Sequence, residues 1–327
     1  MTQTLTDILR PVASELDEFN KRFKGTLIST VPIVNLIAKY LVRTKGKQIR
    51  PILVLLAASA SGGVTDATYR AATLVELLHT ATLVHDDVID EADTRRGLAS
   101  IRALWRNKAG VLMGDYLLAK GLLLTIDTKE FHFLEITSTA VRRMSEGELF
   151  QLQKARQLNT DEAAYFKIIA DKTASLLATC TELGAASVGG PNPGLQEQMR
   201  NYGENVGIAF QIRDDLFDYQ GSSGIIGKPV GNDIKEKKLT LPILYTLSTL
   251  DEKEQRRIRK MIKAGKLSQS ERELILSLVR STGGLEYAHK KAEEYAARAR
   301  SAIATFPDTP AKQALEDFSH FVIERSK

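Results

Sequence analysis

The stretch Leu83–Gly97 reads LVHDDVIDEADTRRG, so an apolar run ends in a dense group of carboxylates followed by two arginines. Asp86, Asp87 and Asp90 stand at i, i+1 and i+4. Asp214, Asp215 and Asp218 repeat that spacing further along the chain, and Gln211 extends the second set by one turn. On a helix, positions three and four apart share a face. Each set therefore forms a carboxylate face at the end of an apolar segment, Leu74–Val84 in one case and Val206–Phe217 in the other. Like charges in such a place repel one another and are costly to desolvate. Arginine could neutralise them, but two such sets point to divalent metal, and all-oxygen donors suit magnesium. Magnesium usually takes one or two carboxylates and completes its octahedron with waters and substrate phosphates. The pattern thus predicts a polyphosphate ligand between two helices. Solvated carboxylates at helix ends would explain either set alone, but poorly explain two sets that each close an apolar helix.

Other phosphate and metal schemes fit badly. The chain has no GxxxxGK[ST], no GxGxxG and no HExxH, and neither aspartate set has the alternating ligands of a calcium loop. Basic residues stand where an anion would need them. GKQIRP places Lys47 and Arg50 three apart at the start of a helix, an end that already favours anions. His79 lies two turns before Asp86. Arg95 and Arg96 follow the first aspartate set, Lys172 and Thr173 stand in ADKTASL, Lys228 lies in a glycine-rich loop, and Lys238 precedes LTLP. Any one of these alone reads as a surface cation. Their placement beside the carboxylate segments makes the joint case.

The elements that must position these residues are helices. Apolar residues recur with periods near 3.6 and clean alternation is scarce, which predicts an all-α fold. Helices are expected near 5–20, 28–42, 51–61, 65–90, 100–125, 127–155 and 160–188, then near 195–219, 233–248, 252–264, 268–281, 284–305 and 309–325. Breaks fall at SGGVTD, GGPNPG and FPDTP. No stretch reads as a long linker, so residues 1–327 are expected to form one helical bundle domain. The loop Gln220–Asp233, with glycines at 221, 224, 227 and 231, reads either as a mobile flap or as a plain connector.

Composition narrows the setting. Of 327 residues, 43% are hydrophobic, enough for a large core. Much of the net charge of +5 lies in Lys253–Lys266, which reads as a solvated helix face. No interleaved aromatics support nucleic-acid binding there, and contact with anionic lipid is a minor alternative. The single Cys180 has no internal disulfide partner, which suits a reducing, cytoplasmic compartment and an inert core thiol. The N-terminal residues lack an apolar signal core. The longest apolar or small-residue run, near Ile52–Ala60, is too short to span a bilayer.

Taken in order, GKQIRP, LLHTATLVHDDVIDEADTRRG, DKTA, GIAFQIRDDLFD and KPVGNDIKEKKLTLP resemble the motifs of the trans-isoprenyl diphosphate synthases, the all-E polyprenyl synthases. The resemblance covers nearly the whole chain. It implies an all-α bundle around a deep central cavity, usually a homodimer. It also implies that Asp86, Asp87, Asp90, Asp214, Asp215 and Asp218 hold a three-ion magnesium cluster on an allylic diphosphate. Arg95, Lys172, Thr173, Gln211, Lys228 and Lys238 would contact that diphosphate. Gly46, Lys47, Arg50, His79 and Arg96 would bind isopentenyl diphosphate, and Phe210 joins the substrate-binding set. One departure is Lys237, where the family's last motif often has glycine.

Product length should follow cavity depth. Residues one turn before Asp86 lie about 6 Å deeper along the helix. These are Ala81 and Thr82, where short-product members carry bulky aromatics. Small residues here would let a growing chain pass, with a floor supplied by Phe131 or Phe133; close helix packing is the competing reason for them. The local run resembles the long-chain branch, the octaprenyl-type synthases of quinone side chains. A long product is therefore expected, octaprenyl favoured over a medium-chain one, and its release invites peripheral membrane contact. Trp105 and Asp115 read as structural, while Glu146, Glu148 and Gln151 read as support at the cavity mouth. A non-catalytic subunit should have lost metal ligands, and a terpene cyclase or hydrolase would need neither GKQIRP nor a second DDxxD. The chain keeps all of these.

Overall fold

The computed structural model describes residues 4–44, 46–95, 97–189, 192–220, 232–265 and 267–325. It is all-α, as the periodicity predicts, with one two-residue hairpin. Helices α1 (Leu5–Leu9), α2 (Ala13–Thr26) and α3 (Pro32–Arg43) wrap the outside of the bundle. Pro32 opens α3 at a first turn, where its missing N–H is not needed. Helix α4 (Ile49–Ser61) is deeply enclosed, with Ile52 to Ala58 all buried. It lies against α9 (Ser175–Ala186) so closely that a Cβ at Gly184 would come within 2.5 Å of the Val54 carbonyl oxygen. Only glycine permits that approach. Cys180 is fully buried in this layer, and burial pushes its thiol up to about 12, so it is inert.

Helix α5 (Asp66–Ile89) carries the first aspartate set. It begins at a capping box in which Thr65 and Thr68 satisfy each other's backbone N–H. Thr65 Oγ1 also donates to the Ser187 carbonyl, 2.9 Å away, pinning the start of α5 to the end of α9. Residues 71–78 are buried on every side, whereas the last three turns open on one face. The hairpin β1 (Thr94–Arg95) and β2 (Leu98–Ala99) then turns the chain into α6 (Ile101–Asp127). Glycines let α6 pack tightly along α5; a Cβ at Gly114 would stand 2.1 Å from His85 Nε2. By length and composition alone α6 could cross a membrane, though a third of that window is buried in the bundle.

Helix α7 (Phe131–Gln157) leads to α8 (Glu162–Ile169), and α8 joins α9 through a π-turn, Ala170–Ala174. The helix expected over 160–188 is therefore interrupted by one wide turn. Helix α10 (Pro193–Gln220) carries the second aspartate set. The helix expected at 233–248 is instead α11 (Asn232–Lys235) and α12 (Leu241–Thr249), broken at Lys237 with φ of 61°. That left-handed backbone is one glycine adopts freely, which suits the glycine that the resemblance implies at this position. Helices α13 (Glu252–Ala264), α14 (Gln269–Ser281), α15 (Gly284–Ala302) and α16 (Pro310–Glu324) complete the bundle. Helix α13 buries Ile258 and Ile262 and pairs Arg256 with Glu252 and Arg257 with Glu254, so the basic segment is a solvated helix face. Most of the glycine loop, 221–231, lies outside the described residues.

Candidate active site

At the end of α5 the first three aspartates divide. Asp86 and Asp90 share the outer rim, where partial burial and the nearby Asp90 raise the Asp86 carboxyl. Neither forms an ion pair among the described residues. Asp87 turns to the other side of the helix, is buried, and accepts a hydrogen bond from Arg95 Nε at 2.6 Å. The hairpin sets this contact by folding Arg95 back over α5, reversing at Gly97 with φ of 76°.

The second set divides three ways on α10. Asp215 is buried and receives hydrogen bonds from the Tyr165 hydroxyl at 2.7 Å and from Gln211 Nε2 at 2.8 Å. Burial, reinforced by Asp233, nevertheless pushes its carboxyl up to about 7. Asp214 pairs with Arg325, whose guanidinium lies 3.8 Å over the Phe210 ring and also donates to the Phe210 carbonyl at 3.2 Å. Asp218 accepts from the Asp233 backbone N–H at 3.1 Å.

Among the described residues no group of three or more Asp, Glu, His or Cys side chains closes around one point. Asp86 beside Asp90 is a pair of like-charged oxygen donors that a cation would relieve.

The basic residues fall into two cavities. One, of 480 Å³, is lined by Gly46, Lys47, Arg50, His79, Arg95, Phe210 and Arg325, with Thr80, Leu83 and Val84 on its α5 wall. Arg50 Nη1 and His79 Nε2 are 2.8 Å apart within it. The other, of 120 Å³, is lined by Gln151, Lys172, Thr173, Gln211, Asp215 and Lys238. There Lys172 Nζ donates to Gln151 at 2.9 Å and pairs with Glu148 at 2.5 Å, while Thr173 donates to Gln211 at 2.9 Å. Burial opposes the charge on Lys238, yet its partner Glu236 at 2.6 Å prevails and raises its pKa. Every described residue expected to bind isopentenyl diphosphate lines the first cavity. Arg95 also lies there, away from Lys172 and Thr173. Arg96 and Lys228 lie outside the described residues.

The positions expected to gate chain length also separate. Thr82 is half-buried one turn before Asp86 on the same face. Ala81 is fully buried in the α5–α6 seam, in a cluster with Leu77, Val84, Met113 and Leu117. Neither lines the 480 Å³ cavity. Phe131 is 58% exposed and is no internal floor, whereas Phe133 is fully buried in the cluster that holds Leu74, Leu78 and Cys180. Sequence reasoning missed Tyr165 and Arg325. They reach the second aspartate set from 50 and 111 residues away, with no local signal to mark them.

Known proteins resemble this chain over nearly its full length. The family profile described as Polyprenyl synthetase matches residues 31–279. The chain belongs to this family. It is 37% identical to the all-trans-nonaprenyl-diphosphate synthase (geranyl-diphosphate specific) of Rhodobacter capsulatus, over 98% of this chain and 97% of that one. It is 35% identical to the octaprenyl diphosphate synthase of Escherichia coli, over 96% and 97%. A polyprenyl synthase from Caulobacter crescentus, solved with calcium and isoprenyl diphosphate, superposes with a TM-score of 0.90 at 33% identity, covering 100% of this chain and 99% of that one. This polyprenyl synthetase is accordingly a prenyltransferase, a trans-polyprenyl diphosphate synthase.

The raised Asp215 carboxyl has a consequence for stability. A carboxyl raised in the folded state favours its protonated form, so its contribution is present below the ordinary value of 3.8 and is lost as pH rises through about 7. In metal-free buffer, Asp215→Asn should gain on the order of 1–3 kcal/mol over wild type at pH 8 and almost nothing near pH 4. Thermal melts across that range measure the difference; a gap that stays constant with pH contradicts the assignment.

Proposed function

We propose that this protein is a long-chain all-trans polyprenyl diphosphate synthase, extending an allylic diphosphate with successive isopentenyl diphosphates, the octaprenyl product favoured. The observation that carries this reading is the separation of the anion-binding residues into two cavities flanking the aspartate-bearing helices. Lys47, Arg50, His79 and Arg95 fit the diphosphate of isopentenyl diphosphate, and Asp87 orients Arg95. Lys172, Thr173, Gln211 and Lys238 fit the allylic diphosphate. Asp86 and Asp90, with Asp214, Asp215 and Asp218 opposite, would hold a three-ion magnesium cluster, which when bound supplies charge stabilisation for the departing diphosphate.

The chain's own residues do the rest. Lys172 and Lys238 stabilise negative charge developing on the leaving oxygens as the allylic C–O bond breaks. Leu83, Val84 and Leu117 keep the wall of the isopentenyl cavity apolar, which protects an allylic cation from water. The isopentenyl double bond then attacks that cation, forming the new C–C bond. The proton lost in restoring a double bond goes to the departed diphosphate. Thr82, small and one turn below Asp86, leaves room for the lengthening chain, and Phe133 stands deeper as the floor.

Helices α6 and α7 expose Leu112, Leu122, Leu123, Ile126, Phe131 and Leu149. A patch of that breadth fits a homodimer. Replacing Leu112 and Leu123 with Glu should yield monomers by sedimentation velocity; an unchanged species would refute this interface.

Incubation with farnesyl diphosphate, isopentenyl diphosphate and magnesium, followed by mass analysis, tests the main reading. Successive additions ending mainly at octaprenyl diphosphate are expected, and folded protein that adds none would overturn it. Thr82→Phe should shift the product shorter. It is a cleaner probe than Ala81→Phe, which would overpack the α5–α6 seam. An unchanged product distribution removes Thr82 as a gate.

A further inference from the structure

The turn that presents Lys172 and Thr173 is held by charged residues: Asp171, which opens the DKTA motif, and Arg143, Lys167 and Glu204, which belong to none of the motifs above. A π-turn widens the helix by one residue and redirects the side chains within it. Here it sends Lys172 toward Gln151 and Glu148 on α7, and its neighbour Thr173 toward Gln211 on α10. Wide turns are rare and weakly favoured in themselves, so something must fix this one. Gly147 of α7 presses on it, since a Cβ there would come 2.9 Å from both the Asp171 Cβ and the Lys172 backbone nitrogen. Asp171, buried at the centre of the turn, accepts from Arg143 Nε of α7 at 2.9 Å and from Lys167 Nζ of α8 at 2.8 Å. The same Arg143 guanidinium donates from Nη2 to Glu204 of α10 at 2.6 Å. One arginine thus ties the turn to the two helices that carry the partners of Lys172 and Thr173.

We propose that Arg143, clamped between Asp171 and Glu204, is a positioning residue that fixes the π-turn and so aims Lys172 and Thr173 at the allylic diphosphate. The inference rests on the function proposed above. Charge-assisted bonds with half-buried donors resist thermal spreading of the turn better than the turn's own weak backbone bonds. With Asp171 neutralised, Arg143 keeps Glu204 but loses its hold on the turn. The loss should then appear only where Lys172 and Thr173 act, and the isopentenyl cavity, which shares no lining residue with theirs, should not register it.

The test compares wild type, Asp171→Asn, Arg143→Lys, Lys172→Ala and the Asp171→Asn/Lys172→Ala double variant. Each is assayed for KM toward farnesyl diphosphate, for KM toward isopentenyl diphosphate, and for calorimetric binding of inorganic diphosphate with magnesium. Asp171→Asn should raise the farnesyl diphosphate KM and weaken diphosphate binding about 10-fold, leaving the isopentenyl KM within about 2-fold. In the Lys172→Ala background, Asp171→Asn should add less than about 3-fold, because its effect passes through the residue already removed. Arg143→Lys, which retains charge with a single bond, should fall between. A multiplicative loss in the double variant, or equal changes in both KM values, would overturn the proposal. If wild type does not elongate at all, the proposed function fails by itself, and the diphosphate titrations still decide the positioning role. If Asp171→Asn melts well below wild type, the comparison is made with Arg143→Lys, where an unchanged diphosphate affinity would sink the idea.

Discussion

Carboxylates cannot be gathered at the ends of buried helices without something positive or hydrogen-bonding between them, and this interior is arranged around that constraint. Asp87 is met by Arg95, Asp214 by Arg325, and Asp215 by Tyr165 and Gln211. Asp86 and Asp90 at the rim are instead met by each other, and Asp86 is raised for that reason as well as by its burial. The six aspartates are thus not two equal triplets. They form one open pair and a set of carboxylates already spoken for. An open like-charged pair is an arrangement that a cation stabilises and that water alone serves poorly.

The same constraint explains the scaffold. Holding Asp87 against Arg95 needs a hairpin that folds back over α5, and holding Asp214 against Arg325 needs the end of the chain to lie beside α10. Lys172 and Thr173 are presented to α7 and α10 from within a π-turn. Each device gives up regular helix locally, and tight packing elsewhere offsets it. Gly184 against α4 and Gly114 against α5 bring those helices closer than any other residue would allow.

The sequence carried the all-α class, the two aspartate helices and the residues proposed to bind diphosphate, because each is written in local periodicity or in short motifs. It did not carry the partners. Arg325 and Tyr165 reach the second aspartate set across long separations, and nothing in their neighbouring residues marks them. It also misread the geometry within motifs. The i, i+1, i+4 spacing implies one face, yet i+1 stands about 100° away around the helix, and that is where Asp87 turns. Ala81 and Thr82 look equivalent as small residues, but Ala81 is fully buried in the α5–α6 seam while Thr82 is only half-buried. The turn at 170–174 escaped periodicity because Ala170 and Ala174 keep helical spacing through it, and the break at Lys237 lies in a run of four charged residues that carries no apolar period.

Under the proposed function, Asp86 and Asp90 hold a divalent metal firmly only together with the substrate's diphosphate. Calorimetric titration of magnesium, with and without inorganic diphosphate, tests it most directly. Weak magnesium binding to the free protein is expected, with at least about 100-fold tighter binding once diphosphate is present, and loss of that gain in Asp86→Asn/Asp90→Asn. Tight binding without diphosphate, or a gain that survives removal of both rim carboxylates, would contradict it.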